Sequence, residues 1–236
     1  MSRGSKRSDV PLARALSKLG ILSRAQATDA IRAGRVRVDG RIVRDPARRV
    51  IPERAVLAVD DEPRTRAAWR TILFHKPRGV VTTRDDPEGR RTIYDVLGSD
   101  AHGLIAVGRL DLASTGLLLL TTDTQFANWL SDPANAVPRV YVVTVRGTVT
   151  QEEAAALPAP RVEVRKASGR ESHLVVELRQ GKNREIRRMF EAIGHEVTRL
   201  KRVSFGGLDL NDLEPRQWRE VTRAEIREAF PTRSRR

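Results

Sequence analysis

Asp111 sits in the segment Gly108-Arg109-Leu110-Asp111-Leu112-Ala113-Ser114-Thr115-Gly116, between the apolar runs Leu104-Ile105-Ala106-Val107 and Leu117-Leu118-Leu119-Leu120. A loop between two sheet strands is held rigidly, so a carboxylate on it is aimed. An ionised carboxylate can attack a carbon centre or remove a proton. Arg109 points the same way as Asp111 if the backbone is extended, and a guanidinium there keeps a buried carboxylate charged. Ser114 and Thr115 can hydrogen-bond the loop backbone. A loop aspartate is more often a turn former or a cap than a catalyst, and the arginine two residues away is what sets this one apart. A second cluster is Gly181-Lys182-Asn183-Arg184-Glu185-Ile186-Arg187-Arg188. Arg184, Arg187 and Arg188 share one face at helical spacing, while Ile186, Met189, Phe190 and Ile193 form the apolar stripe that orients it. Taken alone, that face is a solvated basic surface. Tyr141 follows Pro138-Arg139 on a strand and suits either a core or a base-stacking surface.

Other chemistries lack their residues. The chain has no cysteine, which excludes disulfides, thiol catalysis and thiolate-held metals. His75, His102, His173 and His195 show no paired ligand spacing, so no metal site is expected. A hydrolase built on Asp111 would need a second carboxylate or a metal, and neither accompanies it. The Gly181-Lys182-Asn183 run lacks the spacing and hydroxyl of a phosphate-binding loop, and no G-x-G-x-x-G occurs, so no nucleotide cofactor is expected.

The elements that must position these residues fall into two textures. Leu12, Ala15, Leu16 and Leu19 predict a helix ended by Gly20. Ser23 with Gln26 forms a capping box for a second helix, with Ala27, Ala30 and Ile31 as its stripe and Gly34 as its stop. Val36 and Val38 alternate with Arg35 and Arg37, Asp39-Gly40 marks a tight turn, and Arg41-Ile42-Val43 is the return strand. Residues 60–70 read as a linker. From Thr71 onward, strands dominate without regular βαβ spacing, which predicts an α+β domain with a mainly antiparallel sheet and flanking helices. Leu117 to Leu120 is uniformly apolar and so central. Lys76-Pro77-Arg78-Gly79 is a turn, and Tyr94 lies in an ordinary helix. The expected layout is a disordered basic tail at 1–10, a small module at 11–59, the linker, and a large domain at 71–230.

Charge points to the partner. Of 236 residues, 44 are Lys or Arg against 30 Asp or Glu, a net +14. Residues 1–57 hold 14 basic and 5 acidic side chains. Arg24, Arg32, Arg35, Arg37 and Arg41 fall where the second helix meets the hairpin. A concentrated basic face on a small fold suits structured RNA, read through phosphate and shape. No apolar run approaches the roughly 20 residues of a membrane span, and no N-terminal signal segment stands out, so the cytoplasm is the expected location.

The stretch from Leu12 to Val59 resembles the S4 RNA-binding domain, through Leu16, Gly20, Ser23-Arg24, Ala27, Ile31, Gly34-Arg35-Val36, Val38 and Asp39-Gly40. Residues 12–230 resemble the RsuA/RluB-type bacterial ribosomal RNA pseudouridine synthases. The carrying motifs are Val107-Gly108-Arg109-Leu110-Asp111 through Asp123, Lys76-Pro77-Arg78-Gly79, Arg139-Val140-Tyr141-Val142-Val143, and Asn183 through Met189. The resemblance implies that Asp111 is the catalytic aspartate of an intramolecular transferase that needs no cofactor. It implies that Tyr141 stacks on the target uracil, that Arg187 pairs with the aspartate and that Leu200 packs near the base, with Arg109 also at the substrate. RNA contacts are expected from Arg24, Arg35, Arg37, Arg41, Lys76, Arg184 and Arg188. Position 139 is Arg where many relatives have Lys, and position 185 is Glu where Gln is common. The Asn-Arg-Glu-Ile-Arg form favours 23S over 16S rRNA, on naked RNA or a ribosomal precursor, by a monomer. The rival expectation is a non-catalytic ribosome-assembly factor.

Overall fold

The computed structural model describes residues 9–22, 24–52, 54–64 and 68–231. The chain divides into two units. One comprises the residues up to Arg70 with the short segments 103–105 and 121–125, and the other comprises the remainder.

In the first unit, β1 (Val10–Pro11) precedes α1 (Leu12–Lys18), which buries Leu12, Ala15 and Leu16. Gly20 takes a left-handed φ of 74°, and Ile21 N then donates to Leu16 O at 3.0 Å, closing the helix end. In α2 (Arg24–Arg32) the face Ala27, Ala30 and Ile31 is buried, and Gly34 ends it in the same manner, with Arg35 N bonded to Ala30 O. Then β2 (Val36–Val38) turns through Asp39 and Gly40, both at positive φ, into β3 (Arg41–Ile42). Two positive φ values in succession match the right-handed twist of a hairpin. After β4 (Arg49–Val50), which pairs with β1, come β5 (Leu57–Val59) and β6 (Glu62–Arg64), giving the sheet order β3-β2-β5-β6. Two expectations change. Glu62–Arg64, read as linker, is a strand whose backbone pairs with β5 across the turn at Asp60 and Asp61. Asp9 and Val10, assigned to the tail, are ordered: Val10 pairs with Val50, and Arg49 Nε donates to the Asp9 carboxylate at 2.8 Å. The Ser23 cap, residues 1–8 and the final basic residues lie outside the described residues.

The rest of the chain, most of it in the second unit, runs β7 (Thr71–Lys76), α3 (Ile93–Leu97), β8 (Ile105–Ala106), β9 (Thr115–Thr121), α4 (Thr124–Ser131), β10 (Arg139–Arg146), α5 (Gln151–Ala156), β11 (Arg161–Ala167), β12 (Glu171–Leu178), α6 (Glu185–Glu191), β13 (Val197–Phe205), β14 (Leu208–Asp209), β15 (Trp218–Glu220) and α7 (Arg223–Ala229). Its sheet follows the order β11-β12-β10-β13-β9-β7-β15, with β14 beside β13 and β8 beside β9. The β10–β12, β10–β13, β11–β12 and β7–β15 pairings are antiparallel, and β9–β13 is parallel. All four leucines of β9 are buried, as a central strand covered on both faces requires. The strand before the Asp111 loop is shorter than its apolar run, only Ile105–Ala106, because Val107 already turns toward the loop while still donating to Leu119 O. At the β9–β13 contact the backbones approach so closely that a Cβ on Gly116 would lie 2.2 Å from Arg202 O. Phe126, Trp129 and Phe205 meet the edge or face of Phe230 at 5.5–6.4 Å between ring centres, an aromatic cluster that anchors the end of β13.

Candidate active site

Asp111 is carried by the connection from β8 to β9, and the peptide groups of that connection are clamped from below. Lys76, at the end of β7, is fully buried. Its Nζ donates to Asp111 O at 3.1 Å, Ser114 O at 2.9 Å and Pro77 O at 3.0 Å. Three carbonyls match the three donors of an ammonium. Burial lowers the Lys76 pKa to about 8, against the opposing pull of the Asp111 charge. Gly79 N donates to Leu112 O at 2.8 Å, and Thr82 Oγ1 to Leu110 O at 2.9 Å. Thr115 Oγ1 ties the start of β9 back to Lys76 O at 2.7 Å. The expectation that Lys76 contacts RNA is therefore corrected: with no exposed surface, it holds the Asp111 loop in shape.

The loop forms one wall of a cavity of about 410 Å³. Asp111, half-buried, faces this space together with Tyr141 from β10 and Leu200 from β13. Tyr141 and Leu200 are 8% and 7% exposed, so each presents a face to the cavity while the rest is packed. Arg109 lies exposed on the same wall, with no ion pair to Asp111 among the described residues. The cavity is rich in cations: Arg109, Arg139, Lys182, Arg184 and Arg202 line it against Asp111 and Glu185. The Glu185 carboxylate is occupied by Lys182 N, at 3.1 Å.

Arg187 stands differently. It lines a neighbouring cavity of about 420 Å³ with Arg184, His195 and Glu196, rather than the wall beside Asp111. Its Nη1 donates to Val197 O at 2.7 Å, while Nε and Nη2 are buried without a partner. Burial, then the nearby Arg184, lowers its pKa, and the field of Asp111 opposes that shift. The pair is thus within electrostatic reach but not in ion-pair contact. The expected shared face of Arg184, Arg187 and Arg188 is also loosened. Arg184 is a left-handed residue (φ 48°) ahead of α6, so it leaves the helical spacing and borders both cavities, while Arg188 is exposed and lines neither.

Two further arginines, which the sequence reading did not assign to the site, line the cavity. Arg139 is 8% exposed and donates to Val137 O and Leu130 O at 3.0 and 2.9 Å. Arg202 is 3% exposed and donates through Nε to Leu117 O at 2.6 Å. Both guanidinium groups lie over Phe205, at 4.8 and 5.1 Å from the ring centre. Strand periodicity could have flagged Arg202, since it stands two residues from Leu200 on the same face of β13. Arg139 stood in a motif, but nothing local marks it as buried. Ser114 and Thr115 divide the role expected of them: Thr115 bonds the backbone of β7, whereas Ser114 Oγ is buried without a partner.

In the first unit, Arg24 and Arg41 are exposed. Arg35 and Arg37 are partly exposed but donate to the carboxylates of Asp60 and Asp61, in each case through Nε at 2.6 Å. Such surface pairs contribute little and are readily exchanged for phosphate. Among the described residues, no group of three or more His, Asp or Glu could hold a metal ion, and no helix is long and apolar enough to cross a membrane.

Similarity to known proteins follows the same division. Residues 70–192 match the RNA pseudouridylate synthase family, and residues 10–55 match the S4 domain. An uncharacterized RNA pseudouridine synthase of Aquifex aeolicus is 32% identical over 94% of both chains. Ribosomal large subunit pseudouridine synthase B of Pseudomonas aeruginosa is 39% identical over 91% of this chain and 60% of its own length. The Bacillus subtilis protein of the same name is 31% identical over 92% of this chain and 93% of its own. A crystal structure of a pseudouridylate synthase superposes with a TM-score of 0.64 at 29% identity, covering 93% of this chain and 99% of that one. With the S4 match on the first unit and the synthase match spanning the Asp111 loop, Tyr141 and α6, the chain belongs to the RNA pseudouridylate synthase family.

Proposed function

We propose that the protein converts a uridine of large-subunit (23S) ribosomal RNA into pseudouridine, with Asp111 as the catalytic group. The observation that carries this reading is the Lys76 clamp, which holds the Asp111 loop on the wall of a cationic cavity that Tyr141 and Leu200 also line. The names of the large-subunit relatives support the choice of RNA. The reaction breaks the bond from ribose C1′ to uracil N1, turns the base, and joins C1′ to C5. The proton on C5 leaves and N1 gains one. Nothing is oxidised or hydrolysed, so no co-reactant or cofactor is called for.

The target base must leave its stack, at a cost of a few kcal/mol. Stacking on Tyr141 returns roughly 1–3 kcal/mol, and Leu200 supplies apolar contact. Asp111 acts ionised, either by attacking the sugar or the uracil or by removing a ribose proton. Arg109, on the same cavity wall, and Arg187, within electrostatic reach, hold that charge once water is excluded. The exposed Arg184 and Arg188 and the basic first unit meet the RNA backbone, with residues 11–59 as the RNA-binding module and 71–230 as the catalytic domain. The protein acts in the cytoplasm as a monomer, on naked rRNA or a ribosomal precursor.

The test is tritium release from rRNA labelled at C5 of uridine. The native protein is expected to release tritium, and Asp111→Ala to be slower by at least about a thousandfold. Release from neither, on naked rRNA and on precursor particles alike, would leave a non-catalytic assembly factor as the better reading.

A further inference from the structure

Two buried polar groups on the wall of the Asp111 cavity have no partner. Arg202 commits Nε to Leu117 O and its flat face to Phe205, yet Nη2 meets no acceptor. Ser114, 1% exposed, leaves Oγ unbonded. The parallel register brings the two close, since Arg202 pairs with Gly116, two residues after Ser114. Arg139 offers the contrast, because its Nη1 and Nη2 both donate to carbonyl oxygens. Buried donors left unmet are costly, and proteins retain them where something else supplies the partner.

The cavity itself indicates what that partner is. Its exposed cations, Arg109, Lys182 and Arg184, suit phosphate. Arg202 and Ser114 are instead nearly inaccessible and lie among Leu178, Leu200 and Phe205, surroundings fit for a flat base. Uracil presents two carbonyl oxygens with an N–H between them. On the reading of this chain as a uridine isomerase, we propose that Arg202 Nη2 donates to a uracil carbonyl of the target base and that Ser114 Oγ accepts its N3–H.

The isomerisation makes this pair economical. Turning the ring about the line through N3 and C6 exchanges N1 with C5 and O2 with O4, while N3 stays on the axis. A donor fixed in the protein therefore meets a carbonyl oxygen before and after the turn, and an acceptor on the axis meets N3–H in both states. Cytosine carries an amine in place of one carbonyl and no hydrogen on N3, so the same two groups select uracil.

The experiment uses an rRNA fragment containing the uridine that the native enzyme modifies, with that residue as uridine, 2-thiouridine or 4-thiouridine. Sulfur is a poor acceptor. Single-turnover product formation is compared for the native enzyme, Arg202→Met, Arg202→Lys and Ser114→Ala, with thermal melting to verify folding. For the native enzyme, thio-substitution is expected to slow the reaction about tenfold. In Arg202→Met the uridine fragment is slowed by a similar factor and the added penalty from sulfur falls below twofold, with Arg202→Lys between. If Arg202→Met does not fold, the Arg202→Lys comparison decides. A folded Arg202 variant that keeps the full sulfur penalty overturns the role of Arg202, and unchanged kcat/KM in Ser114→Ala removes Ser114. If the native enzyme forms no pseudouridine in the unmodified fragment, the isomerase reading fails and this inference falls with it.

Discussion

At the scale of single residues, the site is held by a buried cation that lies outside the cavity it serves. Lys76→Met removes three hydrogen bonds, two of them to the Asp111 loop, where the peptide carbonyls of Asp111 and Ser114 lose their donor. The expected result is a fall in kcat of at least about a hundredfold with near-native RNA affinity, read from single-turnover and filter-binding measurements. The same contact gives a pH dependence. Because the Lys76 pKa is about 8, its ammonium loses a donor as pH rises through that value, and activity declines with a midpoint near 8. The folded value lies below the ordinary 10.5, so the unfolded chain binds more protons between these limits, and global stability rises there. An alkaline loss of activity without a lower Tm separates loop disorder from unfolding. Tyr141 gives a second residue-scale expectation. Tyr141→Phe retains the stacking face and most activity, while Tyr141→Ala forfeits roughly 1–3 kcal/mol of stacking, about 5- to 150-fold in kcat/KM. Asp111 and Tyr141, which line the same cavity, were singled out by motif. Lys76 was legible as a motif but misread, because a lysine in a turn gives no sign of burial until the strand it ends is known to be internal.

At the scale of elements, the site depends on one unusual contact in the sheet. β9 and β13 run parallel, whereas β10–β13 and β7–β15 are antiparallel, and this places Arg202 and Leu200 beside the loop that precedes β9. Gly116 permits the approach. Gly116→Ala puts a methyl group against the backbone of Arg202 at a φ of 111°, and is expected to destabilise the protein by more than about 2 kcal/mol in chemical denaturation. Activity should fall further than stability at permissive temperature, since the displaced strand carries the end of the Asp111 loop. The hydrophobic periods of β9, β10, β12 and α6 were readable in the sequence because each element buries one regular face or both. The strand Glu62–Arg64 was not. Its three residues are polar or proline and show no apolar alternation, so only its backbone pairing with β5 reveals it.

At the scale of the whole molecule, the first unit concentrates much of the positive charge and the second holds the cavity. Deleting residues 1–59 is expected to weaken rRNA binding at least about tenfold and to flatten its salt dependence, as each lost phosphate contact lowers the slope of log affinity against log salt by roughly one. Circular dichroism and tritium release at saturating RNA then show whether the second unit folds and turns over alone. A deletion product that does not fold would place the domain boundary elsewhere. Arg35 and Arg37, bonded to Asp60 and Asp61, should contribute less per residue to this binding than Arg24 and Arg41.

The sequence by itself determined the two-part organisation, the α+β class, the basic partner surface and the loop carrying Asp111. Those properties are written in local composition, short-range period and contiguous motif. It did not determine which cations surround that loop. Lys76 read as an RNA contact until strand order and register bury it, Arg139 and Arg202 were given no place in the site, and Arg187, read as the partner of Asp111, commits Nη1 to Val197 O. Whether a charged side chain points to water or into a cavity depends on what covers it, and that cover comes from strands distant in sequence. Tertiary pairing alone therefore decided how the cavity is wired.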